Sequence, residues 1–373
     1  MRAKQQRHPF CRLALALALG CLPVTACATT PATSAVADEA TLVSEGVDTP
    51  LEILGYRDLA AAYPCFLNQG DKVAVIAPSA LPDKSKVEAT IAGLKAWGFE
   101  PVEGKYVSVD ERTLDDCLED VTWALGDPEI KAIFCVRGGY GSSEVLDILP
   151  LSAISEANKP IIGYSDISAY HSAWSVLGLS SFHTPTWNAF LGNDLSEGSR
   201  EAMRGLLKGQ VPVYECQGSE YDIEGTATGV LVGGNLSTLI TVSEAEYDCL
   251  NMDEPYILFL EDVSEDLEHV HRNLTELMHR GVLDKAQGIV FGEWVDYPAS
   301  NECYTGNSRG GEFKSMREMI SRQFLEGRDI PVAFGFPAGH GSVNYPLLLG
   351  ARVRLDVRDG HFTLEWTGEP RSV

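Results

Sequence analysis

The sequence predicts an α/β fold that opens with a mostly parallel sheet carrying helices on both faces. Two observations predict it. Short apolar runs alternate with helix-spaced segments over about 120 residues from Asp71, and parallel strands joined by helices are covered on both sides. In addition, the run Lys159-Pro160-Ile161-Ile162-Gly163-Tyr164-Ser165-Asp166 passes from a strand pattern into a helix-compatible one with no room for a long loop. That forces a sharp strand-to-helix turn at the carboxyl edge of the sheet, where open α/β folds bind ligands.

The elements follow in order. Asp71 to Ser79 is a buried-strand pattern stopped by Pro78, and Lys84 to Trp97 has helical spacing that ends at Gly98. Pro101-Val102 suggests a second strand. Arg112 to Leu125 predicts a helix with an acidic, solvated face, ended by Gly126-Asp127-Pro128. Lys131 to Val136 is another buried strand, followed by Arg137-Gly138-Gly139-Tyr140-Gly141, and then the turn at Ser165. Leu179 to Trp187 reads as one more short strand running into a loop. Between about Gly209 and Gly225 the composition turns rich in Pro, Gly, Glu and Tyr, which predicts a linker over 211–225 between domains 70–210 and 226–373. Beyond it, Thr226–Val232, Tyr256–Leu260, Gly288–Gly292 and Pro331–Phe334 read as strands. Gly233-Gly234-Asn235 opens a helix, and Asp266–Arg280 is amphipathic. Glu293 to Gly311 reads as a loop, and Ala351–Val357 with His361–Trp366 as antiparallel strands.

The chain has 373 residues, comfortable for two domains. Its first 26 residues read as an export signal. Arg2, Lys4, Arg7 and Arg12 precede an apolar run from Leu13 to Leu22, too short to span a membrane permanently. Val24-Thr25-Ala26-Cys27 resembles a bacterial lipobox, so Cys27 is expected to be lipidated, giving an exported, periplasmic protein anchored to a membrane by lipid. Residues 27–69 would then be anchor, tether and lead-in. Removal of the signal takes four basic and no acidic residues from a formal charge of −24, leaving −28. Such a surface repels nucleic-acid phosphates and argues against a nucleic-acid partner. Six cysteines after Cys27 are scattered without a C-x-x-C pair, so neither zinc nor another metal or cofactor is expected; Cys135 lies in an apolar strand and reads as core.

Three strand-end or loop positions carry chemistry. Ser165 sits beside the unpaired N–H groups of the helix that follows, which favour developing negative charge. Serines there most often form turns or caps, and the local Gly163-Tyr164-Ser165-Asp166-Ile167 lacks the second glycine of the usual nucleophile elbow. Glu261 ends a strand of five apolar or aromatic residues, and His340 stands between two glycines. The chain order Ser165, Glu261, His340 matches the nucleophile–acid–base order of one convergent triad. The glycines of Arg137-Gly138-Gly139-Tyr140-Gly141 could lend backbone amides to an oxyanion hole together with that of Asp166; a phosphate cradle, without a G-x-G-x-x-G or P-loop pattern, and a plain glycine turn are the other readings of that segment. Arg137 is a candidate for a substrate carboxylate or for a structural salt bridge. His269 and His271 point to different helix faces and make no metal pair. His171 and His279 are expected at the surface or in packing, and His183 at the cleft.

These segments together resemble the LD-carboxypeptidase family. The resemblance rests on Val75-Ile76-Ala77-Pro78-Ser79, Arg137–Gly141, Ile162–Ala169, Gly233-Gly234-Asn235-Leu236, Leu260-Glu261-Asp262 and Gly339-His340-Gly341, in order, over about residues 70–360. It implies a parallel-sheet N-terminal domain, a smaller β-rich C-terminal domain, a cleft between them and often a homodimer. It also implies Ser165 as nucleophile, Glu261 as acid, His340 as base, and oxyanion amides from Gly139 and Asp166. Tyr140 and Asn235 join Arg137 as candidate substrate contacts. The expected activity is hydrolysis of the bond between an L-centre and a terminal D-amino acid in muropeptides, without a cofactor. The export signal departs from the family's cytoplasmic recycling members. Two alternatives are a peptidase that cleaves a peptidyl- or aminoacyl-nucleotide antibiotic, as in microcin immunity, and a non-catalytic lipoprotein that binds cell-wall peptides.

Overall fold

The protein, seen in a computed structural model, is described for residues 42–369 apart from 48, 64, 193, 194 and 299–312. The expected signal, Cys27 and its tether, Cys303 and most of the 293–311 segment lie outside the described residues.

In chain order, an N-terminal arm gives β1 (Leu42–Glu45) and β2 (Leu51–Asp58). There follow β3 (Lys72–Ile76), α1 (Lys84–Ala96), β4 (Glu100–Glu103), α2 (Leu114–Gly126), β5 (Ile130–Cys135), α3 (Ser142–Leu146), α4 (Leu151–Ala157), β6 (Ile161–Gly163), α5 (Ser168–Val176), β7 (Ser181–His183) and α6 (Glu197–Leu207). The second half holds β8 (Gln210–Gln217), β9 (Gly225–Asn235), α7 (Leu236–Thr241), β10 (Tyr256–Val263), α8 (Leu267–His279), α9 (Val282–Lys285) and β11 (Gly288–Pro298). It closes with α10 (Met316–Ile320), β12 (Val332–Phe334), β13 (Leu347–Leu349), β14 (Arg352–Arg358) and β15 (His361–Trp366).

Among the described residues these strands form two sheets. The first has six strands in the order β13-β7-β6-β5-β3-β4, parallel except for β13. Alternate residues of its central strands enter different cores, as the two-residue period of a strand requires. Val73, Val75 and Phe134 join Val87 and Leu94 of α1 on one face. Ala74, Ile76, Ile133 and Cys135 join α2, α4 and α5 on the other. The second sheet has nine strands along β1-β11-β10-β9-β14-β15-β8-β2, with β12 beside β11. Its Val230, Val232, Leu258 and Leu260 pack under α7, α8 and α10. Leu231, Ile257 and Phe259 point the opposite way, into the core shared with the first sheet. The parallel strands β6, β10, β11 and β12 therefore deliver their following residues around one shared core.

Several expectations need correction. The segment read as a linker contains β8, which pairs with β15 and β2. Pro212 stands opposite Tyr56 of β2, and the β15 pairing of β8 starts only at Tyr214. The lead-in before residue 70 holds two strands of the second sheet, and β13 carries residues 347–349 into the first. Neither sheet respects a boundary drawn along the chain. The strand at Gly288 does not stop at Gly292 but runs to Pro298. On α2 the acidic run is not all solvated: Asp120 is buried and accepts the Tyr106 N–H. Cys65, Cys117, Cys135, Cys216 and Cys249 are all buried.

Candidate active site

β6 ends at Gly163, and Ser165 follows in a left-handed conformation with φ of 66°. A serine held at positive φ is uncommon and needs its surroundings to hold it there. Those surroundings are specific. Gly138 lies so close that a β-carbon on it would stand 2.8 Å from Ser165 Cβ and 3.0 Å from Ser165 Oγ and from the Asp166 nitrogen. Behind the turn, His171 is buried, with Nε2 2.9 Å from the Gly163 carbonyl and Nδ1 2.8 Å from Ser181 Oγ. Burial pushes its pKa down to about 4. The neutral ring therefore donates to Gly163 and accepts from Ser181. His183, expected at the cleft, is fully buried instead, its ring centre 5.2 Å from that of Phe259.

The Asp166 side chain ties the neighbouring loops together. Its Oδ2 accepts the Ser79 hydroxyl, at the end of the β3 segment, and the Ser142 N–H at 2.9 Å, just past the glycine-rich loop. Arg112 donates to the carbonyls of Ala77 and Ser79, fixing the same loop from outside. Gly139 and Gly141, on either side of Tyr140, have φ of 122° and 121°, conformations open to glycine alone. The Gly139 and Asp166 amides thus belong to segments pinned against each other by one carboxylate.

Glu261 projects from β10 and is fully buried. Its Oε2 lies 2.8 Å from His340 Nδ1, while Oε1 has no hydrogen-bond partner among the described residues. The His340 ring rests on Tyr164, the residue before Ser165, with centres 4.9 Å apart. No hydrogen bond joins His340 to Ser165 among the described residues, a common looseness in a site without substrate. Burial opposes charging the imidazole. The Glu261 charge and hydrogen bond, then the charges of Asp262 and Glu293, outweigh that opposition and hold its pKa above the usual histidine value. The loop carrying it is fastened by Asn344, whose Oδ1 accepts the Gly339 N–H at 3.3 Å and whose Nδ2 donates to the Gly339 carbonyl at 2.6 Å.

The remaining sequence candidates fall into two groups. Arg137, at the start of the glycine-rich loop, is half-buried and donates to the Leu81 carbonyl at 3.3 Å. Tyr140 is exposed, its hydroxyl donating to Glu144 at 3.3 Å, beside a depression of about 290 Å³ that Ser79 and Arg112 also line. Asn235 is committed elsewhere. Its Oδ1 caps α7 through the Thr238 N–H, and its Nδ2 donates to Asp262 at 2.8 Å. Its backbone N–H donates to Ser168 Oγ at 2.9 Å, joining the second sheet to the helix after the turn. Sequence reasoning missed Gly138, Tyr164, Glu293 and Asn344. A glycine pair does not reveal which member abuts a side chain, but the pattern Trp294-Val295-x-Tyr297 beyond Gly292 could have extended β11 across Glu293. Among the described residues no three His, Cys, Asp or Glu side chains are placed to hold a metal ion.

Comparison with known proteins gives a consistent result. The family described as the LD-carboxypeptidase N-terminal domain matches residues 73–184, and the LD-carboxypeptidase C-terminal domain matches 228–355. The chain is similar to the murein tetrapeptide carboxypeptidase of Pseudomonas aeruginosa, 29% identical over 289 residues, covering 73% of this chain and 89% of that one. It is also similar to the microcin C7 self-immunity protein MccF of Escherichia coli, 25% identical with coverage of 75% and 88%. Among solved structures, the muramoyltetrapeptide carboxypeptidase from Oxalobacter formigenes superposes with a TM-score of 0.69 at 26% identity, covering 80% of this chain and 100% of that one.

Proposed function

The chain belongs to the LD-carboxypeptidase family, and from that premise we propose that it is a serine carboxypeptidase releasing a terminal D-amino acid from peptidoglycan peptides. The observation that carries this reading is a serine in a strained turn next to Tyr164, whose ring supports a histidine bonded to a buried carboxylate.

The roles follow from the geometry. With Nδ1–H given to Glu261, His340 keeps the Nε2 lone pair for the Ser165 proton. Ser165 Oγ attacks the carbonyl carbon of the scissile amide, and the proton passes to His340. The resulting imidazolium is stabilised by Glu261. Negative charge on the carbonyl oxygen falls to the amides of Gly139 and Asp166, where one donor is worth about 3 kcal/mol of barrier. His340 then protonates the leaving nitrogen, the D-amino acid departs, and a water activated by the same imidazole hydrolyses the Ser165 ester. Arg137, which donates to one carbonyl among the described residues, is the cation we assign to the terminal carboxylate, which every substrate of a carboxypeptidase carries.

Mass spectrometry of a muropeptide tetrapeptide incubated with wild type and with Ser165→Ala tests this. Loss of one D-alanine with wild type alone is the expected result. The similarity to the microcin self-immunity protein favours one second reading, cleavage of an aminoacyl-nucleotide amide. Wild type that spares the tetrapeptide but cleaves an aminoacyl sulfamoyl adenosine would replace the first reading by the second.

A further inference from the structure

β11 carries a feature that regular strand geometry does not explain. Against β10 its register runs Leu260 to Phe291 and then Asp262 to Trp294, so two residues, Gly292 and Glu293, stand opposite Glu261 alone. This is a β-bulge, a device that re-aims a side chain. Phe291 and Trp294 lie three apart yet pack in the same core under α8 and α10, which requires the alternation to slip by one between them. The slip turns Glu293 away from that core and toward the loop of His340.

There Glu293 holds the loop from both its backbone and its side chain. It is fully buried; its N–H donates to the Ala338 carbonyl at 3.2 Å and its Oε2 accepts the Gly341 N–H at 2.8 Å. A β-carbon on Gly341 would stand 2.6 and 2.7 Å from its two carboxylate oxygens, and one on Gly339 would stand 3.4 Å from its Cβ. His340 is thereby flanked by two buried carboxylates from adjacent strands. Glu261 bonds the ring, and Glu293 bonds the backbone one residue later.

We propose that Glu293 is a positioning residue, a further anion beside His340, which fixes the His340 loop by its hydrogen bond to Gly341 and favours the imidazolium by its charge. The inference rests on the serine-peptidase reading for its catalytic consequence but not for its electrostatic one. The groups facing His340 are Glu261 and Asp262 of β10, Glu293 of β11, Tyr164 at the turn and His183 of β7. Of the three carboxylates, Glu261 acts most strongly and Asp262 and Glu293 add to it.

The experiment is a titration of the His340 ring by NMR in histidine-labelled protein, assigned with His340→Gln, in wild type, Glu293→Gln and Glu261→Gln. Glutamine keeps an acceptor for Gly341 and removes the charge. The expected result is a His340 midpoint lower in Glu293→Gln than in wild type, and lower still in Glu261→Gln. An unchanged midpoint in Glu293→Gln overturns the proposal. In kinetics on the cleaved peptide, Glu293→Ala should lower kcat on the order of tenfold or more with KM within about twofold, because a small misplacement of the base is costly. Glu293→Gln should recover part of that loss, with the acid limb of its pH profile moved to lower pH. Wild-type kcat in Glu293→Ala also overturns it. A wild type that cleaves no peptide would sink the peptidase reading, while the titration would still decide the role of Glu293.

Discussion

Gly138 shows how tightly one backbone position limits the site. A methyl group there would stand 2.8 Å from Ser165 Cβ, too close for two carbons, and in tight contact with its Oγ at 3.0 Å. The neighbour that must yield is the serine already held at φ of 66°. Gly138→Ala is therefore expected to lower kcat on the order of a hundredfold, the scale of a 1 Å misplacement, with little change in the unfolding midpoint. Single-turnover kinetics beside a urea titration would check it, and near-normal turnover would show that the loop relaxes freely. Residues like this are poorly legible in sequence, because Gly138 and Gly139 differ in what they touch and not in what they are. Ser165, Glu261 and His340 are more legible. Each follows a strand pattern or sits in a glycine-flanked loop, and their order along the chain restricts the arrangement. Their geometry still needed three dimensions, since Glu261 and His340 meet across 79 residues.

At the scale of elements, α7 illustrates an end whose cap also serves the site. Asn235 bonds the Thr238 N–H with one side-chain atom and Asp262 with the other, and burial raises the Asp262 pKa to about 6. Replacing Asn235 by alanine removes a cap worth about 1 kcal/mol. It also strips one donor from a buried carboxylate, for roughly another 1 kcal/mol. The expected outcome is a lower urea midpoint at unchanged m-value. An unchanged midpoint with a raised KM would instead return Asn235 to the substrate contacts. Elements with strong periodicity, such as β3, β5, α1 and α8, are readable from sequence because burial on one or both faces imposes the pattern. The short helices α3 and α4, of five and seven residues, are too brief to display a period. β11 was cut short at Gly292 because a glycine inside a strand reads as its end, whereas here it marks the bulge that turns Glu293.

For the whole molecule, the alternation of strands and helices announced the parallel sheet, but the nine-stranded sheet was largely hidden. Its strands come from residues 42–58 and 210–366, and no local pattern records which distant strand a short apolar run will join. The arm before the first family-matched residue, 73, is the clearest case. β1 and β2 cover the two ends of the sheet path. Glu45, at the end of β1, accepts the N–H groups of Met316 and Arg317 at the start of α10. Deleting residues 42–58 would bare the outer ladders of β11 and β8, and unpaired edges recruit other chains. Size-exclusion chromatography should then show more association than the intact chain gives; a deleted form that elutes in the same assembly state and is as stable as the intact chain would mean the arm is dispensable.

The arm also constrains the curvature of the sheet it borders. Laid flat, the eight strands from β1 to β2 would set their outer members about 34 Å apart at the usual spacing. Yet only six virtual bonds separate Glu45 from Leu51, a reach of no more than about 22 Å. The sheet must therefore roll toward a trough whose rims approach one another, with the short connection from Glu45 to Leu51 lacing them together. Val47 lies on that lace, against the Gly341 backbone, so the stitch that sets the roll also touches the loop that presents His340.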